Sequence, residues 1–468
     1  MPSLRVSSPA GRWVIAATVI GSGMAAIDST VVGIALPTIG RQFGATLGAL
    51  QWVVTGYALA LSSLLILGGA LGDQFGRRRI FLLGVIWFTI ASAACALATG
   101  VTMLIATRIL QGVGAALLTP GSLAIIQASF RREDRGRAIG LWSGLGGVAN
   151  AAGPLLGGYL IAVASWRYIF LINVPIGVVV LLASMRHVPE SSDPKASHHI
   201  DVLGATLAFL GLGGITYGLI EGPAVGWSTP SVVVTLVIGV LASVGFVVVE
   251  QRSRAPMLPL SVFRVRQFSV TNVVTFIVYG ALGGALFLLP IQLQVVDGYS
   301  PLESGLALLP LTLIMLVFSA RSGQLATRLG PRLQMGVGPV IVGAGLALLV
   351  KTTTDSSYLT GVLPAVVVFG AGLAVTVAPL TATALGALPS EHAGLASAVN
   401  NSVARIGGLM AVAVLPGVVG ITGQSYLHPE AFSQGFRSAV LLSGAACALG
   451  GVFAGIWITN PPRDALEQ

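Results

Sequence analysis

Fourteen apolar runs, each close to the length of a bilayer crossing, divide this 468-residue sequence. They fall at 13–36, 51–71, 80–98, 103–126, 138–162, 168–185, 202–221, 231–250, 268–290, 304–320, 333–350, 360–380, 394–418 and 437–458. A helix rises about 1.5 Å per residue, so about 20 residues cross a hydrocarbon core roughly 30 Å thick. Charged residues make up 9% of the chain, against about 25% in soluble proteins. A soluble fold of this length would lack the polar surface to cover itself. The expectation is therefore an all-α polytopic membrane protein with 14 spans. The first run starts after Arg12, is too long for a signal core and has no small-residue cleavage site behind it, so it reads as a retained helix. The 61 glycines suit helix crossings in lipid, where small residues let backbones approach.

The cations set the orientation. An even number of spans places both termini on one side, and the loops of that side hold 19 of the 25 Lys and Arg residues. Among them are Arg77, Arg78 and Arg79, the group Arg131, Arg132, Arg135 and Arg137, and Arg252, Arg254, Arg264 and Arg266. Arg41, Arg167, Lys351 and Arg437 fall on the other side, and Arg108 and Arg405 fall inside helices. The positive-inside rule makes the first side cytoplasmic. Facing anionic lipid headgroups, these charges account for the net +9 without nucleic acid. Abundant Ala, Gly and Arg with little Lys fits a GC-rich bacterial genome, so a multi-pass protein of the bacterial cytoplasmic membrane is expected. Cys95 and Cys447 lie in apolar runs as small hydrophobes, His198 and His199 read as a solvated pair, and no metal-ligand spacing occurs.

An internal repeat divides the spans. Gly69-Ala-Leu71-Gly-Asp73-Gln-Phe-Gly76-Arg77-Arg78 follows the second run, and Gly323-Gln-Leu325-Ala-Thr327-Arg-Leu-Gly330-Pro331-Arg332 follows the tenth, 254 residues later. Within one residue the same offset carries Pro37, at the end of the first run, onto Pro290, at the end of the ninth, and carries Gly140 to Gly394 and Gly153 to Gly407. The expected organisation is a six-helix bundle over 1–186, a linker with two extra helices over 187–267, and a second six-helix bundle over 268–468. Parallel repeats of this kind place a substrate site between the halves near mid-membrane.

Five segments carry a family resemblance. They are Ile27-Asp28-Ser-Thr30 through Leu36-Pro37, the Asp73–Arg79 loop, Arg108-Ile-Leu-Gln111-Gly112-Val-Gly114, Gly140 with Gly153-Pro154-Leu-Leu-Gly157-Gly158, and Trp166-Arg167 through Asn173-Val-Pro175-Ile-Gly177. In this order on these helices, they closely resemble the major facilitator superfamily, specifically its fourteen-helix drug:proton antiporter branch. The resemblance covers essentially the whole chain. It implies the major facilitator fold, a conformational latch at Asp73, Gly76, Arg77 and Arg78, and a seal against proton leak at Gly140, Gly153, Pro154, Gly157 and Gly158. Two positions depart from the pattern: Ala149 stands where the antiporter motif usually has Gly, and Thr327 replaces Asp73 in the second-half loop.

The ionisable residues point to coupling. Asp28 is the one acid well inside a run, with Glu221 and Glu250 at run ends. Hydrocarbon favours the neutral form of a carboxyl group and a neighbouring guanidinium its charged form. Asp28 and Arg108 fall at similar depth in the outer half of their helices, within about one turn, so an Asp28–Arg108 pair that is made and broken would carry a proton. The resemblance supports that role for Arg108. Gln111, Asn150, Gln294, Asn400 and Asn401 are polar groups in apolar surroundings, expected to line a substrate cavity with Tyr57 and Trp142 as aromatic walls. Arg405 is left open between bonding Asn400, Asn401 or carbonyls, contacting substrate, and holding Asp28 charged.

No GxxxxGK[ST] loop occurs, so neither nucleotide nor cofactor is expected and the energy falls to the proton gradient, about 2.3 kcal/mol per charge per 100 mV. The expected partners are an amphipathic or cationic small molecule, protons and membrane lipid, and the expected state is a monomer. The expectation is a proton-coupled exporter working by alternating access, not an enzyme. A lipid translocase and a solute importer of the same fold compete with it, and Gly153-Pro154 argues against import.

Overall fold

The computed structural model describes residues 4–193, 200–253, 256–352, 357–389 and 392–460. His198, His199 and Arg254 lie outside the described residues. Fourteen helices are long and apolar enough to cross a membrane. They are α1 (Pro9–Phe43), α2 (Leu47–Phe75), α3 (Arg77–Ala96), α4 (Val101–Ser129), α5 (Arg132–Val163), α6 (Tyr168–His187), α7 (Val202–Val225), α8 (Pro230–Arg252), α9 (Arg266–Val296), α10 (Pro301–Leu329), α11 (Pro331–Lys351), α12 (Tyr358–Gly386), α13 (Gly394–Val418) and α14 (Pro429–Trp457). All fourteen expected runs appear, and no strand forms among the described residues.

Local chemistry sets the ends of these helices. Pro9, Pro230, Pro301, Pro331 and Pro429 each open a helix, where the missing N–H removes no hydrogen bond and the fixed φ suits the first turn. At α1 the Ser8 hydroxyl accepts from Gly11 N at 3.1 Å, and Gly44 ends the helix in the left-handed region. Pro37 and Pro290 correct the sequence reading. Both were expected at helix ends, yet α1 continues to Phe43 and α9 continues through a π-helical turn at Gln292–Val296. A proline removes one backbone hydrogen bond, and the surrounding turns carry the helix past it.

The chain forms two compact units. The first comprises Met1–Ala45, Ala49–Ile215 and Val233–Met257, and the second comprises Thr46–Gly48, Thr216–Val232 and Leu258–Gln468. The inserted pair α7 and α8 is divided between them, its stems in the first and its tip in the second. Within each unit the same packing recurs eight helices apart: α1 on α5 as α9 on α13, and α3 on α4 as α11 on α12. Glycines make these crossings close. A β-carbon at Gly84 of α3 would stand 2.7 Å from Leu118 N of α4, and one at Gly283 of α9 would stand 2.6 Å from Gly408 Cα of α13. In the first unit Val14, Met24, Phe81, Phe88, Leu118 and Val180 join in one buried cluster that also includes Tyr57.

Candidate functional site

Asp28 and Arg108 meet in the interior of the first unit, at 0% and 1% side-chain exposure. Arg108 Nη1 donates to Asp28 Oδ2, forming an ion pair, and to Gln111 Oε1 at 2.7 Å, while its Nε donates to Val53 O at 3.1 Å. Arg108 and Gln111 are three residues apart on α4, so they share a face. Gln111 Nε2 donates to Asp28 Oδ1 at 2.8 Å and to Ser92 Oγ at 3.1 Å. Asn173 Nδ2 donates to the same two atoms, at 3.4 Å and 3.0 Å. The Ser92 hydroxyl donates to Phe170 O at 2.9 Å. The Arg108 guanidinium lies 4.3 Å above the Tyr57 ring, and the Tyr57 hydroxyl donates to Ala25 O at 3.3 Å.

Five helices, α1, α2, α3, α4 and α6, supply this network. The contribution of α6 depends on a break. Pro175 clashes with a continuous helix at the carbonyl four residues earlier, and α6 divides at Ile172 into Tyr168–Leu171 and Asn173–His187. The break leaves Phe170 O to accept from Ser92 and turns Asn173 inward. Asp28 thus accepts from three N–H donors, a geometry that a carboxylate satisfies without a proton of its own. Each ion taken from water costs several kcal/mol, and only a pair with such additional hydrogen bonds recovers that.

Gln111 and Tyr57, expected as cavity lining, are instead buried parts of this network. The reason is that a guanidinium in hydrocarbon needs acceptors and a π face at hand. The antiporter glycines divide into two groups. A β-carbon at Gly140, Gly144 or Gly147 would meet nothing within 4 Å. One at Gly153 would press on Thr30 and on Ile27 O at 3.2 Å, and one at Gly157 on Val31, the α1 turn around Asp28. Gly158 is buried, and Pro154 lies inside α5. The close glycine contacts of α5 therefore lie in its second half, the part against α1.

The loop motif closes on a residue that sequence reasoning treated as plain linker. Gly76 has φ 108, and a β-carbon there would lie 2.8 Å from Glu190 Oε1. Glu190 accepts from Arg78 N at 3.0 Å and Arg79 N at 3.2 Å, so its carboxylate caps the positive end of α3. Arg77 holds Asp73 at 2.7 Å, and Asp73 O accepts from Asp193 N at 2.9 Å. These contacts all lie within the first unit. The second unit repeats the cap without charge: Gly330 has φ 81, and Asn460 Oδ1 accepts from Arg332 N at 3.0 Å. Glu190 and Asn460 each follow the last helical residue, His187 or Trp457, by three, a spacing through which sequence could have found them.

Other candidates lie apart from the network. Trp142 packs half-buried against the first-unit cluster, and Asn150 is exposed, its carbonyl accepting from Thr30 Oγ1 at 3.2 Å. In the second unit Asn400 donates to Asn272 Oδ1 at 3.2 Å and Thr275 Oγ1 at 2.9 Å, joining α13 to α9. Asn401 donates to Ser397 O at 3.0 Å, Arg405 is half-buried near Tyr279, and Gln294 is buried in the π-helical turn. Ser92 and Asn173, central to the site, were not assigned a role from sequence.

Comparison with known proteins agrees with this architecture. The chain is 35% identical over 415 residues to the multidrug resistance protein Stp of Mycobacterium tuberculosis (strain CDC 1551 / Oshkosh), covering 88% of this chain and 77% of that one. It is 36% identical to the tetracenomycin C resistance and export protein of Streptomyces glaucescens, covering 92% and 81%. It is 35% identical to the methylenomycin A resistance protein of Bacillus subtilis (strain 168), covering 97% and 95%. Among solved structures, a bacterial homolog of the human lysosomal transporter Spinster shares the fold at TM-score 0.68 and 17% identity, covering 96% and 97% of the two chains. The inward-open xylose transporter of E. coli does so at TM-score 0.65 and 15% identity, covering 97% and 98%. The family model described as Major Facilitator Superfamily matches residues 18–412, and with fourteen membrane-crossing helices in a repeated arrangement, this chain belongs to the major facilitator superfamily.

Proposed function

We propose that this chain exports amphipathic small molecules such as drugs, biocides or antibiotics across the bacterial cytoplasmic membrane in exchange for protons. The resistance and export roles of its relatives support the direction and the substrate class. The observation that carries the coupling is the buried Asp28–Arg108 pair. In the paired state Asp28 accepts from Arg108, Gln111 and Asn173. In this reading the pair opens as the proton loads. A conformational cycle that parts them on one face and joins them on the other couples proton entry to substrate exit. The termini face the cytoplasm in this reading, the working unit is a monomer, and no cofactor or catalytic step enters.

Everted vesicles test it. An imposed pH gradient should collapse when a transported compound is added, across a panel of relatives' antibiotics and organic cations. Asp28→Asn should abolish that response. Uphill, proton-driven export that survives Asp28→Asn would sink the coupling role.

A further inference from the structure

The second unit holds a carboxylate that this coupling site does not use. The π-helical turn Gln292–Val296 brings Asp297 back over α9: Asp297 N donates to Gln292 O at 3.1 Å, and Gln292 Nε2 donates to Asp297 Oδ1 at 3.2 Å. Such turns widen a helix locally and are frequent at functional positions. Gln292 is fully buried at 0% exposure, and Asp297 is half-buried. One hydrogen bond joins the two side chains, and among the described residues it leaves two buried acceptors without a donor, Oδ2 of Asp297 and Oε1 of Gln292. Each orphan oxygen shares a carbon with an atom of the existing bond.

A carboxylic acid and a primary amide pair through two hydrogen bonds, N–H to oxygen and O–H to oxygen. The first is present. A proton on Oδ2 would supply the second, giving Gln292 Oε1 its donor and turning Oδ2 from orphan acceptor into donor. An ionised Asp297 can do neither.

The surroundings leave this charge unneutralised. Tyr299 is adjacent, Tyr358 opens α12, and Glu303 near the start of α10 is engaged with Ser300 N at 2.8 Å. α14 packs on the turn and carries Glu430 and Arg437, both exposed. No ion pair reaches Asp297 among the described residues. Burial pushes its carboxyl up to about 6, with the Gln292 hydrogen bond opposing.

We infer that Asp297 and Gln292 form a proton-binding site that holds one proton as an acid–amide ring, on the side that the proposed orientation places outside. A hydronium ion from that side gives the proton, the O–H bond forms at Oδ2, and water is left behind. The site itself stands on the local geometry, and only its use in export rests on the proposed function.

Infrared difference spectra of the reconstituted full chain, recorded on either side of pH 6, test the site. A protonated-carboxyl band with its midpoint near 6 is expected, absent in Asp297→Asn and displaced in midpoint in Gln292→Leu. Asp297→Asn keeps the ring as an amide–amide pair, so it should fold as the parent does. A titrating band that persists in Asp297→Asn, a midpoint unmoved in Gln292→Leu, or a band that Na+ shifts at constant pH overturns the inference. Failure of the parent chain to move protons with substrate in vesicles would sink the export reading while leaving the infrared titration intact.

Discussion

Arg108 and Asp28 exchange one strong interaction for two large desolvation costs, so their energetics depend on the pair being whole. Removing one partner leaves an uncompensated buried charge and costs about 3–5 kcal/mol, whereas replacing both by apolar groups of similar volume is close to neutral. Asp28→Leu and Arg108→Met should each lower the unfolding midpoint sharply, and the double variant should recover most of it. Transport should be lost in all three. Cys95 and Cys447 are fully buried, so a thiol-reactive fluorophore reports unfolding directly. A double variant as unstable as the singles would show that the network, not the charge pair, sets stability here. Asn173→Ala removes donors to Asp28 and Ser92 and should cost about 1–3 kcal/mol, the range for stranding a buried polar partner. It should also change the pH profile of export, which loss of packing alone would not. Asp297 gives a pH prediction. Its carboxyl binds a proton more tightly in the folded chain, near 6, than at the ordinary value of 3.8. The folded state is therefore penalised above 6, and the penalty is gone below 3.8. Asp297→Asn should melt above the parent at neutral pH, and the gap should close on acidification.

Helices carry these side chains only as accurately as they pack. α5 supplies no side chain to the Asp28 network, yet Gly153 and Gly157 rest on the α1 turn that bears Asp28. Overpacking of a tight contact typically costs about 1–3 kcal/mol. Gly153→Ala should therefore destabilise the chain and weaken proton coupling, while Gly140→Ala, which meets open space, should leave stability within about 0.5 kcal/mol. Equal melting of the two variants would contradict the division of α5. The cap on α3 belongs to the same scale. Glu190→Ala frees Arg78 N and Arg79 N and should cost about 1 kcal/mol, whereas Glu190→Gln, which keeps an acceptor, should cost less.

Across the whole chain the repeat preserves packing but not chemistry. The 254-residue offset carries Asp28 to Leu282 and Arg108 to Val362, so one unit holds the buried ion pair while the other keeps only its helix framework. The neutral Asn460 cap against the charged Glu190 cap follows the same division. Orientation is a property of this scale, because it depends on the summed loop charge. With native cysteines buried, Ser228→Cys between α7 and α8 should react with an impermeant maleimide from outside intact cells, and Glu133→Cys at the start of α5 only in everted vesicles. The reverse pattern would invert the topology and place Asp297 inside.

How much could be read without coordinates differs by kind. The fourteen spans followed from sequence because hydrocarbon imposes one length and one polarity on every crossing, and those are one-dimensional properties. The repeat was legible for the same reason, since an offset is a comparison along the chain. Asp28 and Arg108 could be named because a charge in an apolar run is costly enough to be conspicuous by itself. The rest depended on which helix faces meet. Ser92 and Asn173 are ordinary small polar residues until Pro175 breaks α6 and the packing sets Asn173 between Ser92 and the Asp28 carboxylate. Glu190 looks like linker until Gly76 opens the end of α3 to it. Asp297 lay past the expected end of the ninth run, and only the π-helical continuation of α9 buries it against Gln292. Residence in lipid, the number of crossings and the places where charge is carried at a cost all follow from the linear order of residues. Tertiary structure decided which of those charges have partners, because hydrogen bonds act over about 3 Å and helix packing alone sets distances that short.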